Sequence, residues 1–184
     1  MSHRRPVPAA AKDVRLDVGD LAAPPRSALG GAAGARITIR SLPACEWLER
    51  AAPLLRAHWQ ELVLHKALMV LKPDIEAYRE LEAQGQLVSL GAFLGEEAIG
   101  YSINVLQRHK HCADLVVAQN DLLFVNPAHR QGLAGHLLIR WTERTVRAHG
   151  ARLLLWRAGP GTALESLMPR LGYGVQELVF SKAL

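Results

Sequence analysis

Cysteine is nearly absent: Cys45 and Cys112 are the only two in 184 residues. They stand far apart and no secretory segment accompanies them, so a disulfide framework is not indicated and a reducing cytoplasm is expected. "SHRRPVPAAAKDV" has adjacent arginines but no apolar run behind them, which argues against an export signal. Nowhere does an apolar stretch approach the roughly 20 residues that a membrane-spanning helix needs. No G-K-[ST] loop and no G-x-G-x-x-G after a first strand occur, so neither a Walker nor a Rossmann nucleotide site is expected. A strong charge of one sign is also missing from the body of the chain. The formal net charge is +5, but residues 1–36 hold six basic against three acidic side chains, leaving sixteen against fourteen beyond them. That balance, and the lack of interleaved aromatics in the basic part, argue against nucleic acid as a partner.

What is present divides at about residue 36. Before it, stretches such as "LAAPPRSALGGAAGA" hold almost no aromatic or β-branched residues and bury too little to offset ordering, so residues 1–35 read as a flexible extension. Residues 36–184 read as one domain. "RITIRSL" alternates as a strand, and "CEWLERAAPLLRAHWQELVLHK" has apolar residues at helical spacing despite Pro53. "KPDIEAYRELEAQG" predicts a short helix, and "QLVSLGAFLG" and "AIGYSINVLQR" predict a hairpin turned at "GEE". "ADLVVAQNDLLFV" is the next strand, interrupted at Gln119, Asn120 and Asp121. A helix from about Leu133 to His149, the strand "ARLLLWRA", a short helix in "TALESLMPRLGY" and a last strand, "VQELVFSKAL", complete the order. Antiparallel strands followed by βαβ crossovers imply an α/β (α+β) mixed sheet with helices on both faces.

Between strand and helix, "FVNPAHRQGLAGHLLIRW" (residues 124–141) holds two glycines, an arginine and no carboxylate. Unsatisfied N–H groups and the positive end of the dipole at such a helix start make a site for phosphate. Gly132, Ala134 and Gly135 would let a diphosphate reach the backbone, and Arg130 could add a fork of donors. The same glycines would equally serve an ordinary loop that needs φ > 0.

The run "LFVNPAHRQGLAGHLL", Leu123 to Leu138, resembles the acetyl-CoA-binding motif of the GNAT superfamily of N-acetyltransferases, and the resemblance extends over roughly residues 36–184. "AQNDLLFVNPAHRQGLAG" and "LGYGVQELVFSKAL" are most similar to GNAT acetyltransferases of phage and prophage genomes. The resemblance implies a GNAT fold with a mostly antiparallel sheet. It implies direct acetyl transfer from acetyl-CoA to a primary amine in a ternary complex, with no metal, and a homodimer is common in the family. By the motif, Arg130, Gln131, Gly132, Leu133, Ala134 and Gly135 hold the CoA diphosphate. The amides of Leu123, Phe124 and Val125 lie beside pantetheine and thioester. Leu133 stands where the family has its first glycine.

Asp121 matches a position where the family often has a glutamate, which implies a general base, with Asn120 and Gln119 as neighbours able to hold a water. Its plainer alternative is a strand carboxylate that caps a bulge or pairs with a lysine. Met168 occupies the place of the family's tyrosine acid, and with the irregular glycines it motivates a second reading: a module of this fold that binds acyl-CoA or a protein without turnover. His58 and His65 read as solvated helix residues, and "HKHC" (109–112) as an exposed turn rather than a metal site. The amine acceptor is left open between small molecules and protein amines.

Overall fold

The structure, a computed structural model, describes residues 36–183. The expected extension over residues 1–35 lies outside them. Five strands form one sheet in the order β1-β2-β3-β4-β5: β1 Ile37–Ser41, β2 Leu87–Leu94, β3 Glu97–His109, β4 Cys112–Val125 and β5 Leu153–Leu155. Neighbours are antiparallel except β4 and β5, which run parallel. The β2–β3 hairpin turns at Gly95, whose φ of 63° suits a residue without Cβ. No helix among the described residues is long and apolar enough to cross a membrane.

The helices divide between two faces, as the mixed pattern predicts. On one face α1 (Ala44–Arg50), α2 (Ala52–Leu62) and α3 (Ile75–Ala83) pack Trp47, Leu48, Leu54, Leu55, Ile75 and Tyr78 against Phe93, Tyr101, Ile103, Leu122 and Phe124. On the other, α4 (Ala134–Ala148) sets Leu138, Trp141 and Val146 against Val88, Leu90, Leu106, Ala118 and Val125. Each buried leucine or tryptophan contributes on the order of 2 kcal/mol by leaving water. α4 also covers a buried polar cluster. Thr142 Oγ1 donates to Ser102 Oγ (2.9 Å), Asn104 Nδ2 to Ser102 Oγ (3.0 Å), and Asn120 Nδ2 to Asn104 Oδ1 (3.0 Å).

Three expectations are corrected. The first long helix is two, broken at Ala51, because Pro53 has no N–H to continue the ladder and sits instead in the first turn of α2. That second helix stops at Leu62, short of His65, and the segment after it leaves Leu64, Leu68, Met69 and Val70 exposed. The last strand does not form: residues 173–183 carry no helix or strand, and Val175, Leu178, Val179 and Phe180 are exposed. β5 is only three residues long, so its outer edge offers too few backbone groups to hold a further strand. The tail instead touches the 63–72 segment, where His65 Nε2 and Ser181 Oγ lie 3.3 Å apart.

Candidate active-site cleft

The polar interruption in β4 is a bulge. Leu122 pairs with Ile103 and Asn120 with Asn104, so Asp121 is the extra residue, with no partner of its own. An extra residue reverses which side chains face which way. Asn120 therefore points under α4 and is 2% exposed, whereas Leu122 and Phe124 pack on the opposite face, against α1–α3. Asp121 turns to that same face and accepts a 2.8 Å hydrogen bond at Oδ2 from the hydroxyl of Tyr78 on α3. Burial, and then the Asp121 charge, raise the Tyr78 phenol well above its ordinary pKa, so it stays a donor.

β4 and β5 pair only from Val117–Leu153 to Gln119–Leu155. Beyond the bulge, Leu122 to Val125 are laddered to β3 alone, and their other edge has no strand beside it because β5 ends at Leu155. Leu123 and Val125 contribute to the α4 side of the core, and Phe124 to the other. This edge of β4 runs on to the turn before α4. Asn126 Oδ1 caps a short 3-10 turn, Pro127–His129, by accepting from Ala128 N (3.1 Å). α4 then begins with Leu133 as N-cap, no side-chain cap and no acidic residue in its first turn. Its first N–H groups thus have no side-chain acceptor.

Gln131, Gly132 and Leu133 are exposed and Ala134 is buried. Neither Gly132 nor Gly135 has a positive φ. A Cβ on Gly132 would lie 3.5 Å from the His129 carbonyl, and one on Gly135 3.8 Å from Val125, both ordinary contacts. The loop's own conformation therefore requires neither glycine, which removes the φ > 0 explanation.

Arg130 is engaged inside the protein. Its Nε donates to the Val125 carbonyl (2.9 Å), while Nη1 and Nη2 donate to the two oxygens of Glu61 on α2 (2.8 and 2.7 Å). This differs from a fork left free for an anion: the side chain ties α2 to the turn. The guanidinium also lies over the Phe124 ring, 5.2 Å from its centroid. Pairing with Arg130 holds the Glu61 carboxyl below its usual range.

His58 joins this corner. Its ring stacks on Phe124 (4.9 Å between centroids, 13° between planes), and Nδ1 lies 2.7 Å from the hydroxyl of the fully buried Tyr101. Burial pushes the His58 pKa down, Glu61 and Asp121 oppose this, and Arg130 adds to it. His58 is thus a packed, neutral ring rather than the solvated residue that helical spacing implies. Beside Asp121 lies a cleft of about 230 Å³, lined by Val105, Gln107, Gln119, Asp121 and Arg157. With the Gln119 amide turned to suit its neighbours, its oxygen accepts from Arg157 Nε (2.8 Å) and Nη2. Neither Tyr78 nor Arg157 stands out in the sequence. The one signal pointing to them is the polar break in β4, which marks where a partner must come from elsewhere.

The described residues contain no group of three or more His, Cys, Asp or Glu able to hold a metal ion. The 109–112 segment is the β3–β4 turn, where His111 N donates to His109 Nδ1 (3.3 Å).

No protein-family model matches the chain, and no curated protein matches it. Solved structures do. A ribosomal-protein-alanine N-acetyltransferase from Brucella melitensis is 18% identical with a TM-score of 0.62, over 81% of this chain and 99% of that one. An aminoglycoside acetyltransferase from an uncultured soil metagenomic sample, in complex with sisomicin, is 16% identical with a TM-score of 0.63, over 80% and 96%. The aminoglycoside N-acetyltransferase AAC(6')-Iy in complex with CoA is 21% identical with a TM-score of 0.64, over 83% and 97%. The chain has the mixed, mostly antiparallel fold of these GNAT-type acetyltransferases.

Proposed function

We propose that this chain transfers the acetyl group of acetyl-CoA to a primary amine, directly and within a ternary complex. The observation that carries the reading is the unpaired edge of β4 past the bulge, which leads to an acid-free helix start with no side-chain cap and two glycines that the loop's conformation does not need. A diphosphate would take the N–H groups of Leu133, Ala134 and Gly135, with Gln131 and Gly132 at its rim; the Gly132 N–H already donates to the His129 carbonyl (3.3 Å). Arg130 would serve by fixing this turn against Glu61 and Val125. The strand edge at Leu123, Phe124 and Val125 would align pantetheine and polarise the thioester carbonyl.

Asp121 would act as the general base, removing a proton from the ammonium so that nitrogen attacks the carbonyl carbon as the C–S bond breaks. Tyr78 holds one oxygen of that carboxylate. Asn120, donating into the buried cluster, sets the bulge that aims Asp121 and does not itself hold the water. Met168 is buried and carries no proton. The nitrogen sheds its second proton to water as the amide forms, and the departing thiolate, basic like a cysteine thiolate (pKa about 8.5), takes one up from water.

Calorimetry of the full chain with acetyl-CoA, followed by an amine library read by mass spectrometry for one added acetyl group, tests this reading. A folded protein that binds no acetyl-CoA and acetylates no amine overturns it. The named acceptors of the similar structures, a ribosomal protein alanine and aminoglycosides, differ too much from each other to be carried over.

A further inference from the structure

The cleft beside Asp121 carries two opposite charges on one floor. Val105 and Gln107 of β3 and Gln119 of β4 form that floor, Asp121 stands at one side, and Arg157, just past β5, at another. Each charge is held by a neutral neighbour: Asp121 by the Tyr78 hydroxyl, and Arg157 by the Gln119 amide oxygen. Among the described residues no carboxylate lies within 4 Å of the Arg157 guanidinium, so the two charges border the cleft without cancelling. Gln119 engages one side of the guanidinium and leaves donors on the other for a planar anion. Gln107 adds an uncharged amide between them.

We infer that the acceptor is an amino carboxylate, such as a free amino acid or short peptide, with its amine at Asp121 and its carboxylate at Arg157. This deepens the transferase reading and rests on it. A polycationic amine would bring a positive charge against Arg157, where like charges repel. A neutral amine would leave that guanidinium without the partner its fork fits. An amino carboxylate satisfies both ends at once, and binding by its remote end would orient the amine toward the thioester.

The test uses the full chain with saturating acetyl-CoA, whose own binding is measured first by calorimetry. Glycine, glycylglycine and triglycine are compared with their carboxamides and with putrescine. Product is read by mass spectrometry, and binding in the presence of CoA by ligand-observed NMR. At least one carboxylate is expected to exceed its amide and putrescine by about tenfold, the scale of one charge-assisted hydrogen bond. Arg157→Gln should erase that preference and Arg157→Glu should turn it toward putrescine; Arg157 is exposed, so both variants should fold. Acetyl-CoA binding with no carboxylate preference in product or in binding overturns the inference and leaves the transferase reading standing. The same holds if Arg157→Gln keeps the preference. Failure to bind acetyl-CoA removes both.

Discussion

Tyr78 and Asp121 meet across the sheet surface, with a hydroxyl from α3 donating at 2.8 Å to a carboxylate that β4 displays only because of its bulge. The bond leaves one carboxylate oxygen for an acceptor amine. Asp121→Asn should keep the Tyr78 contact through its amide oxygen and so keep the fold. It should lower kcat/KM at neutral pH by about a hundredfold, the usual scale for a general base, with acetyl-CoA affinity unchanged. The deficit should shrink as pH rises toward the amine's own pKa, because free amine then forms unaided. Wild-type rates across that range would remove Asp121 from the chemistry.

The glycines at the helix start separate binding from folding. A Cβ at Gly135 meets only Val125 at 3.8 Å, so Gly135→Glu should leave the melting temperature nearly unchanged while abolishing acetyl-CoA binding by calorimetry. Gly100→Ala provides the contrast. There a Cβ would fall 2.8 Å from the Phe124 carbonyl, and unfolding should become easier by on the order of 1–3 kcal/mol.

Asn120 should matter for stability. It is almost fully buried, and its Nδ2 donates to Asn104 Oδ1 and to the carbonyls of Ile103 and Leu122. Asn120→Leu would remove these bonds and take from the buried Asn104 Oδ1 its Asn120 donor, at a cost of about 2 kcal/mol or more in urea unfolding. An unchanged midpoint would show that the cluster does not hold the bulge.

His58 predicts a pH dependence with a definite sign. Its folded pKa lies below the ordinary value of 6.5, chiefly through burial against Phe124 and Tyr101, with Glu61, Arg130 and Asp121 as the charged groups facing it. The unfolded chain therefore takes up a proton before the folded one does. The stabilisation is fully present above about pH 6.5 and is lost as pH falls toward the folded pKa. Melting temperatures should drop between pH 7.5 and pH 5.5, and the drop should be smaller in His58→Gln. Parallel curves for the two proteins would rule this ring out as the cause.

Much of the fold is legible in the chain because its signals are local. Apolar runs mark β2 and β3, which are buried on both faces along most of their length, and the apolar stripe of α4 runs from the buried Ala134 to Val146. Pro53 was visible too, but helical spacing on both sides hid the break at Ala51 that it enforces. "VQELVFSKAL" has the composition of a strand, yet a strand needs a neighbour, and β5 gives it only three residues. The partners around Asp121 escape for a related reason. Tyr78 is 43 positions away from Asp121, Tyr101 is 43 away from His58, and Glu61 is 69 away from Arg130, so no short spacing records them.

The bulge also sets what kind of change β4 can tolerate. Before it, the even-numbered Asn120 looks into the core beneath α4; after it, the even-numbered Leu122 and Phe124 look out at α2 and α3. The strand thus carries two spatial reading frames joined at one residue. Substitution at Asp121 alters a single side chain, whereas its deletion would merge the frames. Either Asn120 would be turned out of its polar cluster, or Phe124 would be turned away from His58 and Arg130. For folding, length at this point is under tighter constraint than identity.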